Sequence, residues 1–222
     1  MLIREIILLF KKDLTIEWRN RYALNGLLLY LVSTLFVCYL SFYQASGSLN
    51  PITWNALFWI IMLFTSMNAV AKSFMQEPDG RQLYYYSIVS PQAIILSKII
   101  YNTLLMLFLA IVGFFFYTIV MGNPVQNSTL FIVNLLLAAI AFSTTLTMIS
   151  GIASKTENGH TLMAILSFPV ILPVLLIVIK VSKNALDGLD PSVSLDEITT
   201  LIAVNMILGT VSYLLFPYLW KS

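Results

Sequence analysis

Residues Ala93-Ile-Ile-Leu-Ser-Lys-Ile-Ile-Tyr-Asn-Thr-Leu-Leu-Met-Leu-Phe-Leu-Ala-Ile-Val-Gly-Phe-Phe-Phe-Tyr-Thr-Ile-Val120 form an apolar run with one charged side chain, Lys98. A helix rises about 1.5 Å per residue, so roughly 20 apolar residues cross a hydrocarbon core about 30 Å thick. Five further runs of this kind lie at about 22–43, 52–71, 128–150, 161–179 and 198–219. Hydrophobic residues make up 59% of the 222 and charged residues only 10%, where soluble domains carry about 25% charged residues. The expectation is an all-α integral membrane protein: one domain of six transmembrane helices.

The charges between the spans set an orientation. Arg4, Lys11, Lys12, Arg19, Arg21, Lys72, Arg81, Lys98, Lys155 and Lys221 fall on one side if the N-terminus is cytoplasmic, and only Lys180 and Lys183 fall on the other. Basic residues are retained on the cytoplasmic side of membrane proteins, so both termini are expected there. The first span lacks a short apolar region followed by a small-residue cleavage site, and it reads as a retained anchor. The basic residues sit at span ends and form no continuous stripe, which argues against a nucleic-acid partner. Cys38 is the only cysteine, so no disulfide framework or Cys-x-x-Cys site arises.

Before the first span, residues 1–21 read as an amphipathic interfacial helix. Ile3, Ile7, Phe10, Leu14 and Trp18 recur at spacings of three and four, with Glu5, Lys12 and Arg19 opposite. Trp18 among Arg and Lys residues suits the headgroup boundary.

None of the six spans carries an ionisable residue near its centre, which disfavours a proton- or sodium-driven transporter. Lys98 and Lys180 are close enough to span ends to snorkel. The neutral polar residues Asn68, Asn102, Asn134, Asn205 and the cluster Ser143, Thr144, Thr145, Thr147 and Ser150 serve first to tie helices together by hydrogen bonds. No paired carboxylates, Ser/His pair or metal-ligand set occurs at a plausible depth, so no catalytic or metal site is expected and the chain is not read as an enzyme. His160 is the lone histidine and lacks the partners that a haem or metal ligand needs. Gly151-Ile-Ala-Ser-Lys155-Thr156 lacks the glycine before lysine that a phosphate-binding loop requires. An active transporter of this design therefore needs a separate ATPase.

The segment best suited to receive such a partner is the second inner loop, 72–92. Glu77-Pro78-Asp79-Gly80 precedes a stretch able to form a short helix from about Arg81 to Val89, with Ser90-Pro91 beyond it. Leu83, Tyr84, Tyr85 and Tyr86 suit insertion into a groove, with Glu77 and Arg81 as polar anchors; the tyrosines equally suit a membrane-interface belt. In the fifth span, Pro169 and Pro173 each remove a backbone donor, so this span is expected to be kinked or broken, either as a static kink or as a hinge. The largest outer loop is expected at 181–197, with Ser194 capping the last helix.

The arrangement Glu77, Gly80, Leu83, Ser90-Pro91, Lys98 and Asn102 resembles the first coupling-helix region of six-span ABC-2-type permeases. More specifically, the whole chain resembles the haem exporter protein B family. The resemblance is carried by Lys12-Asp13-Leu14, Glu17-Trp18-Arg19 and Arg21; by Leu83-Tyr84-Tyr85-Tyr86 with Ser90-Pro91; by Met148 to Lys155; and by Leu166 to Pro173. The tyrosine run stands where relatives are expected to carry mostly leucines.

This resemblance implies a bacterial inner-membrane permease subunit for cytochrome c maturation. It implies that the loop 72–92 couples to a cytoplasmic ABC ATPase that binds the ATP. It implies further partners: a tryptophan-rich haem-handling membrane subunit, a small single-span subunit and an extracytoplasmic haem chaperone. A homodimer is expected from the two-ATPase logic of ABC machines. ATP turnover would drive haem export or release of the haem-loaded chaperone, with haem as a transient substrate and no stably bound cofactor. The rival expectations are an ABC-2 permease for a lipid, glycan or drug, and a non-transporting scaffold of a haem-ligation complex.

Overall fold

The computed structural model describes residues 2–19, 22–43, 47, 49–75, 89–156 and 158–221, and among these every regular element is helical. In chain order they are α1 (Leu2–Arg19), α2 (Tyr22–Cys38, running into a π turn at Tyr39–Tyr43), α3 (Pro51–Met75) and α4 (Pro91–Met121). There follow α5 (Ser128–Ala153), α6 (Gly159–Leu186), a 3-10 turn (Pro191–Ser194) and α7 (Leu195–Lys221). Six of these segments are long and apolar enough to cross a membrane: 24–42, 51–71, 91–121, 128–153, 161–186 and 191–219.

The centre of the bundle is α5. Ala138, Ala139, Ala141, Ser143, Thr144 and Thr147 are all buried. Small side chains let α3, α4, α6 and α7 approach its backbone closely, which is how helices associate where water supplies no driving force. At Gly151 an added Cβ would stand 3.0 Å from the Phe216 ring, so glycine lets α7 pack closely there. The large side chains come from α3: Trp54, Phe58 and Trp59 are buried against Tyr117 of α4 and Phe131 of α5. Trp54 meets Tyr117 edge-on with centroids 4.8 Å apart, a favoured aromatic geometry. α2 and α7 are peripheral and bury the smallest share of their apolar length.

Two expectations are corrected and a third is narrowed. The outer loop expected at 181–197 is largely helical: α6 continues to Leu186 because Val181, Ser182, Ala185 and Leu186 are buried, and α7 begins at Leu195. Ser194 does not cap α7; it is buried and its hydroxyl accepts from Asn184, while Asp190 caps the 3-10 turn by accepting from the Ser192 amide. The fifth span is not broken at its prolines, since α6 is continuous through Pro169 and Pro173. Both prolines lie on the exposed face, four residues apart, whereas Ile171, Val174 and Leu175 between and beyond them are buried and hold the helix in place.

Candidate functional site at the junction of α1 and the bundle

Helix α1 presents three faces. Leu2, Ile6, Leu9 and Asp13, spaced four, three and four residues apart, turn towards the bundle; the apolar three join a small second core with Phe74, Ala93, Ile94, Ile95 and Phe216. The stripe Ile3, Ile7, Leu14 and Trp18 is exposed, with Phe10 half-buried beside it. Arg4, Lys11, Thr15 and Arg19 are exposed on a third face. The stripe read from the sequence as the apolar face of an interfacial helix is thus directed outwards, away from the bundle. A second apolar stripe, about 110° around the helix at 100° per residue, makes the contact.

Two carboxylates fasten this helix. Glu5 accepts from the Ser90 hydroxyl at 2.7 Å and from the Ser90 amide at 3.1 Å. Ser90 is the N-cap of α4, and Pro91 opens that helix at its first position, where proline's missing N–H is not needed. The Ser90 hydroxyl thus serves α1 instead of its own helix. The side-chain and then the backbone hydrogen bond from Ser90 hold the Glu5 carboxyl below the ordinary carboxylate range.

Eight residues further along α1, Asp13 is buried, with one oxygen 2.9 Å from Lys12 and the other 3.5 Å from Lys98. Lys98 does not snorkel: its side chain is 7% exposed, and its ammonium lies 5.7 Å from the centroid of Phe74, which packs in turn on Phe216. A charge placed among aromatic rings and aliphatic side chains is tolerated because Asp13 neutralises it and a ring face attracts it.

Beyond Asp13, α1, α2 and α4 enclose a cleft of about 500 Å³ lined by Phe10, Leu14, Leu24, Leu104, Leu105 and Phe108. Its few polar contributors are Glu17, Tyr101, Asn25 and the Trp18 indole. The Tyr101 hydroxyl is hydrogen-bonded to Glu17.

The interior of the opposite end of the bundle is held by neutral groups. Trp54 Nε1 donates to the Gly122 carbonyl at 3.0 Å, and Tyr117 donates to the Trp54 carbonyl at 2.9 Å. Asn55 donates to the Ile179 carbonyl at 3.0 Å. Ser182 accepts from Trp59 Nε1 and from Asn134, both at 2.7 Å, and Asn134 also reaches the Val178 carbonyl. Nearer the middle, Asn102 donates to Thr147 and Thr103 pairs with Ser143, joining α4 to α5. Asn205 ties α7 to α5 through the Leu137 carbonyl. The role of helix ties expected for Asn102, Asn134 and Asn205 is what the structure displays, whereas Asn68 faces outwards. Lys180 pairs with Glu197 at 2.5 Å between α6 and α7.

Of the residues singled out in the sequence, Lys12, Asp13, Glu17, Trp18 and Arg19 lie on α1, Pro91 begins α4, and Pro169 and Pro173 lie on α6. Glu77, Gly80, Arg81, Leu83, Tyr84, Tyr85 and Tyr86 lie outside the described residues. The structure brings Asp13 together with Lys98, and Glu17 together with Tyr101. Sequence reasoning missed Glu5, Ser90 and Tyr101 as site residues; a signal was available in Ser90-Pro91, a helix-start pair whose serine was free to bond elsewhere.

Six long apolar helices around a neutral polar interior, with a charged helix fastened to one flank, define a multi-pass membrane protein. The family model described as CcmB protein matches residues 4–214, and the chain belongs to that family. It is thereby a membrane permease of haem handling in cytochrome c maturation, within an ABC transporter system that has partner subunits. No curated protein matches the chain significantly.

Proposed function

We propose that this chain is the bacterial inner-membrane permease subunit that converts ATP turnover by a separate cytoplasmic ATPase into haem export, or into release of a haem-loaded chaperone. Both termini face the cytoplasm, and α1 lies in the headgroup interface with Ile3, Ile7 and Trp18 towards lipid and Arg4, Lys11 and Arg19 towards water. The ATPase docks on the loop 72–92 through Glu77, Gly80, Arg81, Leu83 and Tyr84 to Tyr86. The observation that carries this reading is the clip between Glu5 and Ser90. It links α1 to the residue through which the loop enters α4, so a force on the loop acts on both helices together.

Two such permeases pair to match two ATPases, alongside a haem-handling membrane subunit and a small single-span subunit. Haem is the substrate, contacted transiently; no cofactor stays bound. Pro169 and Pro173 leave the Ile165 and Pro169 carbonyls of α6 without their usual helix donors, which makes this stretch the hinge of the bundle. Glu77→Ala or Arg81→Glu should reduce ATPase recovery with the tagged permease, or uncouple hydrolysis from cytochrome c assembly, at normal membrane levels. Wild-type coupling in both variants would remove the docking role of the loop. Cytochrome c assembly that proceeds with an ATPase unable to hydrolyse ATP would favour the scaffold over the pump.

A further inference from the structure

The cleft between α1, α2 and α4 is not used by the coupling scheme, and its chemistry is selective. Its wall is apolar and it borders the outward stripe of α1, so it is continuous with the surface that meets the hydrocarbon. Its volume of about 500 Å³ lies within the range of small-ligand sites, roughly 300–1,000 Å³. Into this wall projects one carboxylate, Glu17, half-buried, bonded to the Tyr101 hydroxyl. Among the described residues, no basic side chain forms an ion pair with it. An anion held at the mouth of an apolar cleft calls for a cation that brings its own hydrocarbon.

We infer that this cleft seats one phospholipid with a primary ammonium headgroup, its acyl chain between Leu104, Leu105 and Phe108 and its ammonium on Glu17. An ammonium offers three N–H donors to the carboxylate, whose remaining acceptor capacity the Tyr101 hydroxyl does not exhaust. A glycerol-headgroup lipid, with a net negative charge, or a porphyrin with two propionates meets repulsion at the same point. The Trp18 indole lines the cleft and stands at the level where aromatic residues contact headgroups. The leaflet occupied follows the topology proposed above, but the headgroup preference does not depend on it.

Trp18 supplies the readout. The full-length protein is reconstituted into vesicles of equal parts phosphatidylethanolamine and phosphatidylglycerol, with brominated acyl chains on one lipid or on the other. Total composition is then constant, both leaflets contain both lipids, and the Trp18 signal is the difference between wild type and Trp18→Phe. Quenching is expected to favour the brominated ethanolamine lipid by roughly fivefold, the size of one partly hydrated charged contact. Glu17→Gln should bring the two quenching curves together without abolishing either, and Tyr101→Phe should leave the preference in place. Equal quenching by the two lipids in the wild type, or preference for the glycerol headgroup, overturns the proposal. So does relief of quenching by protoporphyrin at equal concentration, which would make the cleft a tetrapyrrole site. Since headgroup selection is read without the ATPase, its failure would leave the coupling role of the loop unaffected, and the reverse also holds.

Discussion

The two ends of the bundle are fastened by different chemistry. Where α1 joins α4, the ties are carboxylates: Glu5 on Ser90 and Asp13 on Lys98. At the far end the interior ties are indoles, amides and hydroxyls acting on backbone carbonyls and on Ser182, and the ion pair there, Lys180 with Glu197, lies at the surface. Neutral hydrogen bonds in an apolar interior have no better partner to exchange with, and they sit within a tightly packed aromatic cluster around Trp54, Phe58 and Phe131. That end behaves as one block. The Glu5 carboxylate is only half-buried and can be rehydrated when α1 shifts, so its bonds open at lower cost, while the buried Asp13 pair is the costlier of the two ties. The contrast separates a part built to stay fixed from a part able to change its contacts.

The largest effect should come from the fixed end. Trp59 is fully buried, and its indole N–H reaches Ser182 on α6. Trp59→Ala removes a large buried side chain and should lower the stability of the solubilised protein by about 3–5 kcal/mol. Trp59→Phe keeps most of the volume and should lose about 1–2 kcal/mol, since the Ser182 acceptor retains Asn134. Thermal unfolding in detergent, followed by the loss of monodisperse protein, measures both. A Trp59→Ala protein as stable as wild type would mean that the far end is not a rigid block.

Next in size is the buried ion pair. Asp13→Asn removes the Asp13 carboxylate from the Lys98 ammonium in a site 7% exposed, and breaking such a pair costs about 3 kcal/mol. Because α1 is not one of the six spans, this should register as release of α1. Cleavage by trypsin at Lys11 and Arg19 should accelerate while the unfolding midpoint moves less than in Trp59→Ala. Joining Asp13→Leu to Lys98→Met should restore protection, since two apolar groups of similar size do not pay for buried charge. If the double variant restores protection without restoring cytochrome c assembly, the pair acts in coupling; if assembly returns as well, its role is structural. Protection unchanged in Asp13→Asn would show that the ion pair does not hold the helix.

A smaller effect is expected where α4 meets α5 midway along the bundle. Asn102 donates to Thr147 at 2.8 Å, and interhelical bonds of this kind in membrane proteins average about 0.6 kcal/mol, with a ceiling near 1.7. Asn102→Leu should fall in that interval in the same unfolding assay. A loss well above the ceiling would place Asn102 with the fixed end, and the boundary between the two parts would move towards α1.

The sequence made the spans readable and left their attachments obscure, for identifiable reasons. Long apolar runs can only be satisfied in hydrocarbon, so all six spans were legible, and their lengths shifted mainly where buried residues such as Val181 and Ala185 extended a helix. The packing face of α1 was not legible, because two apolar stripes on one helix satisfy the same three-and-four spacing. The stripe that packs contains Asp13, which looks like a polar interruption until Lys98 is seen opposite it. Lys98 in turn read as a snorkelling residue, since nothing in a linear sequence announces an acid 85 positions earlier as its partner. The cleft was invisible for the same reason: Glu17 and Tyr101 meet only when α1 folds back along α4.

The smallest expected effect concerns the Glu5 clip and can be switched by pH. Its carboxyl is held below the ordinary range by hydrogen bonds that only the folded arrangement supplies. Docking of α1 by this contact is therefore fully present above the ordinary glutamate pKa of about 4.3 and is lost as pH falls through the lowered folded value. The distance between spin labels at Arg4→Cys and Gln92→Cys, in a Cys38→Ser background, follows the clip directly. A narrow distribution at neutral pH should broaden only below the ordinary carboxylate range. Glu5→Ala should be broad at both pH values, and Glu5→Gln, which still accepts from Ser90, should show a weaker restraint that does not change with pH. A narrow distribution in Glu5→Ala at neutral pH would show that the apolar contacts of Leu2, Ile6 and Leu9 suffice to dock the helix. The flexible end would then begin at Asp13, and a force on the loop would reach α1 only through the ion pair with Lys98.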